Sequence, residues 1–209
     1  PPPTTSPTHA GGFVGLCLSL YTLPTPVWQW YRECGTNGKC GVRKAIELPA
    51  APADPDKLPP LLQGFKAVPP LVTDINLSLD DRFLYVSCWG TGEFIQYDVS
   101  DPANPKKTGS IHLGGIVRRA AHPKKPAQPL NGGPQMVEIS RDGKRVYFTN
   151  SLYSPWDEQF YPDGVKSWMV KSDASPKGGM KLAEKFLVEV EGVRAPRARR
   201  GGADARRRH

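Results

Sequence analysis

The feature that most constrains the fold is a pattern of thirteen residues that occurs twice, at 75–87 and at 137–149. Each copy has a strand-like run, then Ser-x-Asp followed by Asp or Gly and by Arg or Lys, then a second run that contains Tyr. Short Ser and Asp side chains can hydrogen-bond the local backbone and hold a tight turn, and Gly143 can adopt a positive φ. The flanking runs alternate β-branched and aromatic residues, as half-buried strands do. The pattern therefore predicts two equivalent β-hairpins.

Further strand-like runs surround these hairpins and form three units. Four short strands per unit, repeated every 45–60 residues or so, are typical of β-propeller blades. With 21 Gly and 23 Pro, the chain also favours short strands joined by turns over long helices. We predict an all-β fold, a partial β-propeller of about three blades over residues 11–192. The predicted strands are 13–20, 27–31 and 42–48 in the first unit, 71–77, 83–88, 94–99 and 107–113 in the second, and 135–139, 145–150, 167–171 and 181–190 in the third.

Three segments rich in Pro, Gly, Lys or aromatic residues separate or interrupt the units. Residues 50–70 contain six prolines, 114–133 are basic and Pro-rich, and 151–166 insert four aromatic residues into the third unit. We predict loops at the blade ends, where functional residues are usually found. Trp156, in the aromatic segment, is a candidate for the mouth of a substrate site. The alternative is simple packing of the loop by its aromatic side chains.

The formal charge of +8 is concentrated at one end of the chain. Residues 194–209 contain seven Arg and one Asp and contribute +6, so the rest of the chain carries about +2. We predict that 193–209 form a disordered, solvated basic tail. A terminal basic string could also bind nucleic acid without sequence preference, but no specific nucleic-acid partner is expected. We predict that residues 1–10 are a disordered start.

The chain shows no signal for export or membrane insertion. Residues 1–7 lack a basic n-region and an apolar h-region, and no apolar run approaches the roughly 20 residues of a membrane helix. A cytoplasmic location is expected, and a periplasmic one stays open.

Two further residues are weak candidates for chemistry. Cys88 follows a strand where a blade-end loop would begin, so its thiol could ionise near a metal. The alternative is a small buried apolar residue. Asp74 interrupts an apolar strand and needs a partner if buried. It either lines the central channel or caps a local turn.

The remaining Cys and His residues assign no metal site. Cys34 and Cys40 flank a predicted hairpin tip, where they could form a disulfide in an oxidising compartment or remain two free thiols. Cys17 is expected in the core, His112 facing outward on a strand, and His122 in a solvated loop. No His or Cys pairs have the spacing of a zinc site, and no cofactor-binding motif is found.

Several long stretches resemble the selenium-binding protein family, which includes methanethiol oxidases. They lie at 71–75, 77–85, 96–102, 132–136, 142–147 and 151–162. The resemblance implies the carboxy-terminal part of a seven-bladed propeller about twice this length. It also implies a small thiol substrate, since the methanethiol oxidases convert methanethiol, oxygen and water to formaldehyde, hydrogen sulfide and hydrogen peroxide. Copper is implied for the full-length bacterial type, selenium is a further cofactor candidate, and the missing propeller half is a candidate partner.

The family's Cys-rich and His-containing motifs are absent from this chain. A non-catalytic propeller that binds selenium or proteins, and an inactive truncated product, are therefore alternatives to a methanethiol oxidase. The resemblance ends near Gly192, and the Arg/Ala/Pro/Gly composition that follows resembles GC-rich DNA translated in a shifted frame. We predict that the isolated chain is aggregation-prone, binds copper weakly and does not turn over methanethiol.

Overall fold

The computed structural model describes residues 11–15, 24–32, 39–150, 154–161 and 164–190, which form three blade-like antiparallel sheets in chain order. This confirms the prediction of an all-β fold, a partial β-propeller of about three blades. Blade 1 contains β1 (Gly11–Gly15), β2 (Thr25–Arg32) and β3 (Cys40–Leu48), and is followed by the short pair β4 (Ala51–Pro52) and β5 (Ala67–Val68). Blade 2 contains β6 (Val72–Leu77), β7 (Phe83–Cys88), β8 (Glu93–Asp98) and β9 (Lys106–His112). Blade 3 contains β10 (Val137–Ile139), β11 (Arg145–Thr149), β12 (Ser167–Ala174) and β13 (Met180–Val190).

Two of the segments predicted as loops contain short helices. The Pro-rich segment after blade 1 forms two 3₁₀-helices, Pro55–Lys57 and Pro60–Phe65. Proline is tolerated at the first helical positions because those N–H groups have no intrahelical partner. The aromatic segment of blade 3 contains α1 (Ser154–Phe160). Among the helices that the structure describes, none is long and apolar enough to cross a membrane.

The two hairpins predicted from the repeated pattern are present and use the same turn. In blade 2, the Ser78 hydroxyl donates to Asp80 Oδ1 (2.5 Å) and accepts the Phe83 N–H (2.8 Å). The residue that closes the turn has a left-handed backbone in both copies, with φ of 56° at Asp81 and 67° at Gly143. The same hydrogen bonds recur in blade 3 among Ser140, Asp142 and Arg145.

Blade 2 is buried on both faces because it has a blade on each side. All six residues of β7 are buried, and successive side chains of a strand point to opposite faces. We call the face toward the preceding blade the front face and the face toward the following blade the back face. The front face of blade 2 packs on blade 1 through a cluster that includes Val27, Ile46, Leu84, Val86, Cys88 and Ile95. Its back face packs on blade 3 through Phe83, Tyr85, Phe94, Val146, Phe148 and Trp168.

The first strand of each blade lies next to the first strand of its neighbour. Strand β6 contacts both β1 and β10, and β9 contacts β13. We call the row of first strands β1, β6 and β10 the inner row, on the expectation that propeller blades begin beside the central channel. Residues of β6 are therefore those that would face a propeller channel.

Candidate functional site

The connections β7–β8, β9–β10 and β11–β12 lie at one end of the propeller, since alternate connections of an antiparallel sheet leave from the same edge. The segment between blades 1 and 2 packs against these three connections at the same end. Together they form a third apolar cluster, which we call the cap cluster. Its buried members are Leu58, Leu62, Val68, Leu71, Trp89, Ile116, Phe160 and Tyr161.

Trp89 lies at the centre of the cap cluster and is fully buried. Its ring makes edge-to-face contacts with Phe160 (5.4 Å between centroids) and Tyr161 (5.8 Å). Its indole N–H donates to the backbone oxygen of Asn150 (2.8 Å). A side chain at Gly133 would collide with the Trp89 carbonyl, which would lie 2.0 Å from a Cβ atom. The end of blade 2 is thereby fixed to the start of blade 3.

Asn150, directly after β11, connects the β9–β10 and β11–β12 connections beside the cap cluster. Its Nδ2 donates to the carbonyls of Asn131 (2.9 Å) and Lys166 (2.8 Å), and its Oδ1 accepts the Trp168 N–H (2.8 Å). The indole of Trp168 donates to the Asn131 carbonyl as well (2.9 Å). A buried polar network with its bonds made is rigid, because each broken bond would leave an unsatisfied group.

Asp74 lies in β6 and faces blade 3. Its Oδ2 accepts the N–H of Val137 (2.8 Å) in the neighbouring blade and lies 3.5 Å from Asn76 Nδ2. Its bonds therefore join two inner strands and do not cap a local turn. Asp74 also borders an open cleft of about 260 Å³ between β1 and β6, whose other lining residues are Phe13, Val14, Gly15, Val72, Thr73 and Ile75.

Cys88, the last residue of β7, lies in the core between blades 1 and 2 and is 1% exposed. Burial, together with the nearby Glu93 carboxylate, raises the pKa of the thiol well above its usual range. A thiol in such surroundings stays protonated at neutral pH and is a poor nucleophile and metal ligand. The environment of Cys88 is that of a small buried apolar residue.

Trp156 lies in α1 and packs half-buried against the cap cluster. Its ring is tilted against Phe160 at 5.2 Å. Its indole N–H is buried and has no hydrogen-bond partner among the residues that the structure describes. Trp156 thus forms part of the wall at the loop end of the propeller.

The two described histidines lie in different surroundings. His122 is fully buried, so the prediction of a solvated loop is wrong. Its turn folds back onto blade 3, where the ammonium of Lys124 donates to the Leu187 carbonyl (3.2 Å). His122 Nδ1 accepts the Lys124 N–H (3.1 Å), and burial lowers the pKa of the ring. His112 is half-buried, with Nε2 3.0 Å from the Thr91 carbonyl oxygen.

The described residues do not assemble a metal site. No group of three His, Cys, Asp or Glu side chains in these ranges could hold a metal ion. Cys40 is exposed, whereas Cys17 and Cys34 lie outside the described residues, so the predicted hairpin tip and the redox state of its thiols stay predictions.

The three candidate residues occupy three different environments. Trp156 belongs to the cap cluster, Cys88 to the core between blades 1 and 2, and Asp74 to the inner side between blades 2 and 3. The sequence analysis missed Trp89 and Asn150, which organise the loop end. The available signal was the repeat itself, since Asn150 stands one residue after the second copy, where Cys88 stands after the first.

Comparison with known proteins points to one family. The family model described as 56kDa selenium binding protein (SBP56) matches residues 2–207, which include most of the basic tail. The chain is 42% identical over 201 residues to a Xenopus tropicalis protein named methanethiol oxidase. It is 41% identical over 202 residues to a Homo sapiens protein of the same name. Each of these matches covers 88% of this chain and 40% of the relative, so the chain spans well under half the length of the relatives.

A solved structure shows the same fold at higher identity. It is the X-ray structure of a hypothetical selenium-binding protein from Sulfolobus tokodaii, with a TM-score of 0.81 and 53% sequence identity. The match covers 88% of this chain and 39% of that one. The three blades therefore correspond to a part of a larger protein in this relative too.

Proposed function

Because this chain belongs to the 56 kDa selenium-binding protein family, we propose that it supplies three consecutive blades of a methanethiol oxidase. The observation that carries the proposal is 42% identity, over 88% of the chain, to a protein named methanethiol oxidase. The catalytic unit is the full-length protein, since the chain spans only 40% of that relative. The propeller blades that the chain lacks are the proposed partner of this part.

The proposed substrate is a small thiol, methanethiol, and the oxidant is molecular oxygen. The carbon–sulfur bond breaks and sulfur leaves as hydrogen sulfide, while the oxygen of formaldehyde comes from water. Two electrons pass from the carbon to oxygen, which becomes hydrogen peroxide. One methanethiol, one oxygen molecule and one water thus give one molecule each of formaldehyde, hydrogen sulfide and hydrogen peroxide.

The residues described here do not fit a copper site. They contain no group of three donor side chains, and the thiol of Cys88 is buried and protonated. We therefore assign no step of the reaction to a metal held by these blades. The donors for copper, and for selenium, are proposed to lie in the parts of the full-length protein that this chain does not span.

The proposed contribution of this chain is to shape and hold the loop end of the propeller. The cap cluster excludes water around Trp89, and the Asn150 network fixes the β9–β10 and β11–β12 connections relative to each other. Trp156 is proposed to border the mouth of the substrate site. Asp74 is proposed to face the channel from β6, where it already bonds the backbone of Val137.

Two proteins test this function. In the first, residues 11–190 replace the matching segment of the Xenopus tropicalis methanethiol oxidase, and release of hydrogen peroxide and sulfide from methanethiol is measured after copper loading. We expect turnover within about tenfold of the unmodified relative. The isolated chain, assayed in the same way, should show none. A folded but inactive chimera would contradict the proposal, and turnover by the isolated chain would show that the site lies within it.

A non-catalytic selenium- or protein-binding propeller is the second candidate. The description of the matching family model and that of the Sulfolobus tokodaii relative, which both name selenium binding, favour it. An inactive chimera that still takes up selenite, measured by elemental analysis after gel filtration, would support this function. Loss of both activities would point to an inactive product.

A further inference from the structure

A small pocket lies beside the cap cluster, at the loop end of the propeller. We call it the cap pocket, and its volume is about 20 Å³. It is lined by residues 51–53 and Val68 of the segment between blades 1 and 2, by Gly90 and Thr91 of the β7–β8 connection, and by Val117 and Arg118 of the β9–β10 connection. Its walls therefore belong to the connections within and between the three described blades.

Backbone hydrogen bonds hold the walls of the cap pocket to one another. The Gly90 N–H donates to the carbonyl of Pro70 (2.9 Å), and the Gly90 carbonyl accepts the N–H of Ile116 (2.9 Å). A Cβ atom at Gly90 would lie 2.2 Å from the carbonyl oxygen of Pro69, so this close approach requires glycine. The pairing of β4 with β5 joins the two ends of the segment between blades 1 and 2. The pocket is thus formed in advance of any ligand, as small-molecule sites usually are.

The walls of the cap pocket are mostly apolar. Residues 51–53, Val68 and Val117 present only apolar side chains, and Val68 is 2% exposed as a member of the cap cluster. Thr91 and Arg118 are the polar residues of the lining, and Arg118 is exposed, so its guanidinium lies toward solvent. None of the described residues that line the pocket is acidic. The lining fits a ligand with an apolar part and one electron-rich atom that can face a guanidinium.

The size of the cap pocket restricts the ligand further. A cavity holds one water-sized sphere in about 10–15 Å³, so a volume of about 20 Å³ accepts a molecule of one or two heavy atoms. Water and hydrogen peroxide are small enough, but apolar walls leave their hydrogen bonds unmade, which is costly. Dioxygen also fits, but it has no charged or strongly polar atom for Arg118 to bind.

Methanethiol combines the required size and chemistry, since it has two heavy atoms, a methyl group and a polarisable sulfur. We propose that the cap pocket binds methanethiol, with the methyl group against Val68 and Val117 and the sulfur toward Arg118. The pocket lies at the same end of the propeller as Trp156, which contacts the cap cluster. It is a binding site, and no bond is made or broken in it. This inference rests on the proposed function, from which it takes the identity of the substrate.

Nuclear magnetic resonance of the whole chain with isotope-labelled methyl groups tests the proposal under argon, where the thiol is not oxidised. Methanethiol should shift the methyl resonances of Val68 and Val117, with half-saturation at about 10 mM, since a ligand of two heavy atoms cannot bind much more tightly. Val146, buried between blades 2 and 3, should not shift. Propanethiol has two more carbon atoms and should bind at least about tenfold more weakly.

Two substitutions in the lining test the pocket by different means. Val117→Phe fills the pocket and should raise the half-saturation concentration at least about tenfold. Leu79→Phe is its control, since Leu79 is 66% exposed in a turn outside the pocket, and should change nothing. Arg118→Gln, at an exposed position that the fold does not depend on, should weaken binding about two- to fivefold, the contribution of an exposed charge. Arg141→Gln, at another exposed arginine, should have no effect.

Turnover by the Xenopus tropicalis chimera separates this inference from the proposed function. Val117→Phe in an active chimera should raise the KM for methanethiol at least about tenfold, and Leu79→Phe should not. An active chimera whose KM is unchanged by Val117→Phe would overturn the cap pocket and leave the proposed function standing. The same holds if the Val68 and Val117 resonances do not move at about 100 mM methanethiol, ten times the expected dissociation constant. An inactive chimera, with binding still present in the whole chain, would support the pocket and contradict the proposed function.

Discussion

Individual buried polar side chains connect the blades of this propeller. Gln96, in the centre of blade 2, is fully buried, and its Oε1 accepts the N–H of Gly179 in blade 3 (2.7 Å) and the hydroxyl of Thr108 (2.7 Å). Its Nε2 donates to the Tyr85 hydroxyl (3.1 Å). Removing one partner of such a set leaves a buried group unsatisfied, which costs about 1–3 kcal/mol. Residues of this kind therefore fix how neighbouring blades are placed.

Protonation of His122 is expected to destabilise the fold at mildly acidic pH. Burial, and after it the positive charge of Lys124, hold the pKa of the ring below its usual value of about 6.5. Because the folded-state pKa is the lower one, stability from the neutral ring is complete above about pH 6.5 and is lost as the pH falls below it. We predict that the free energy of unfolding, measured with urea, decreases in the wild-type chain as the pH is lowered from 8 to 5. In His122→Gln it should decrease less steeply.

The matched control for this prediction is the half-buried His112. Its Nε2 lies 3.0 Å from the Thr91 carbonyl oxygen, and the ring is not enclosed as that of His122 is. His112→Gln should keep the wild-type loss of stability below about pH 6.5. Equal slopes for wild type and His122→Gln would show that His122 does not carry the effect.

For single residues, the sequence indicates which side chains could carry chemistry better than it indicates the surroundings of those side chains. The residues next to Cys88 and His122 in the sequence do not decide whether these two side chains are buried. Packing against a neighbouring blade decides it. The fold-back of the turn at 120–125 onto β13 depends on residues more than 60 positions away, such as Leu187. Asp74 is a clearer case, because a carboxylate within an apolar strand needs a partner, and the structure supplies the Val137 N–H.

Among the elements, the two Ser-x-Asp hairpins were predictable because every group that makes the turn lies within a few residues. The serine hydroxyl, the aspartate and the left-handed residue all belong to the turn itself. Helix α1 was not predictable in this way. Its seven residues are too few to be helical alone, and its Trp156 and Phe160 pack on Trp89 and its neighbours from distant segments.

The left-handed turn position offers a test of local strain with little change in packing. A Cβ atom at Gly143 would have no neighbour within 4 Å, but the φ of 67° disfavours any L side chain. We predict that Gly143→Ala lowers the free energy of unfolding by about 1 kcal/mol, the cost of the left-handed conformation. Urea denaturation of the chain, monitored by tryptophan fluorescence, measures the change.

Gly64 is the matched control because a Cβ atom there also has no neighbour within 4 Å and its backbone is not left-handed. Gly64→Ala should be neutral or stabilising by up to about 1 kcal/mol, since it restricts the unfolded chain. Equal effects of the two substitutions would show that backbone strain at Gly143 is not the cause.

For the whole molecule, the basic tail and the propeller are expected to be energetically separate. Residues 194–209 carry seven arginines and few apolar groups, so they offer little surface to bury and repel one another. We predict that deleting them lowers the isoelectric point from about 9.4 and leaves the melting temperature unchanged within about 2 °C, which corresponds to at most about 1 kcal/mol for a chain of this size. Calorimetry and isoelectric focusing measure the two quantities. A lower melting temperature would show that the tail packs on the blades.

The arrangement of blades was predictable from repetition, whereas the loop end was not. Strand-like runs repeat along the chain, and each blade consists of strands that are consecutive in sequence. The cap cluster instead joins residues from four separate connections, including Leu62, Trp89, Ile116 and Phe160. No local pattern states that these side chains meet, because their contacts exist only when the blades are already in place.

The succession of blades also sets an order of assembly during synthesis. Pairing within a blade joins strands that are consecutive in sequence, so these contacts are local and form rapidly. Blade 2 can settle on blade 1 through its front face before blade 3 has left the ribosome, and its own back face then receives Phe148 and Trp168. During synthesis of any longer relative, the last completed blade therefore exposes an apolar face until the next blade has folded. This is the stage at which that face can most easily bind a wrong partner.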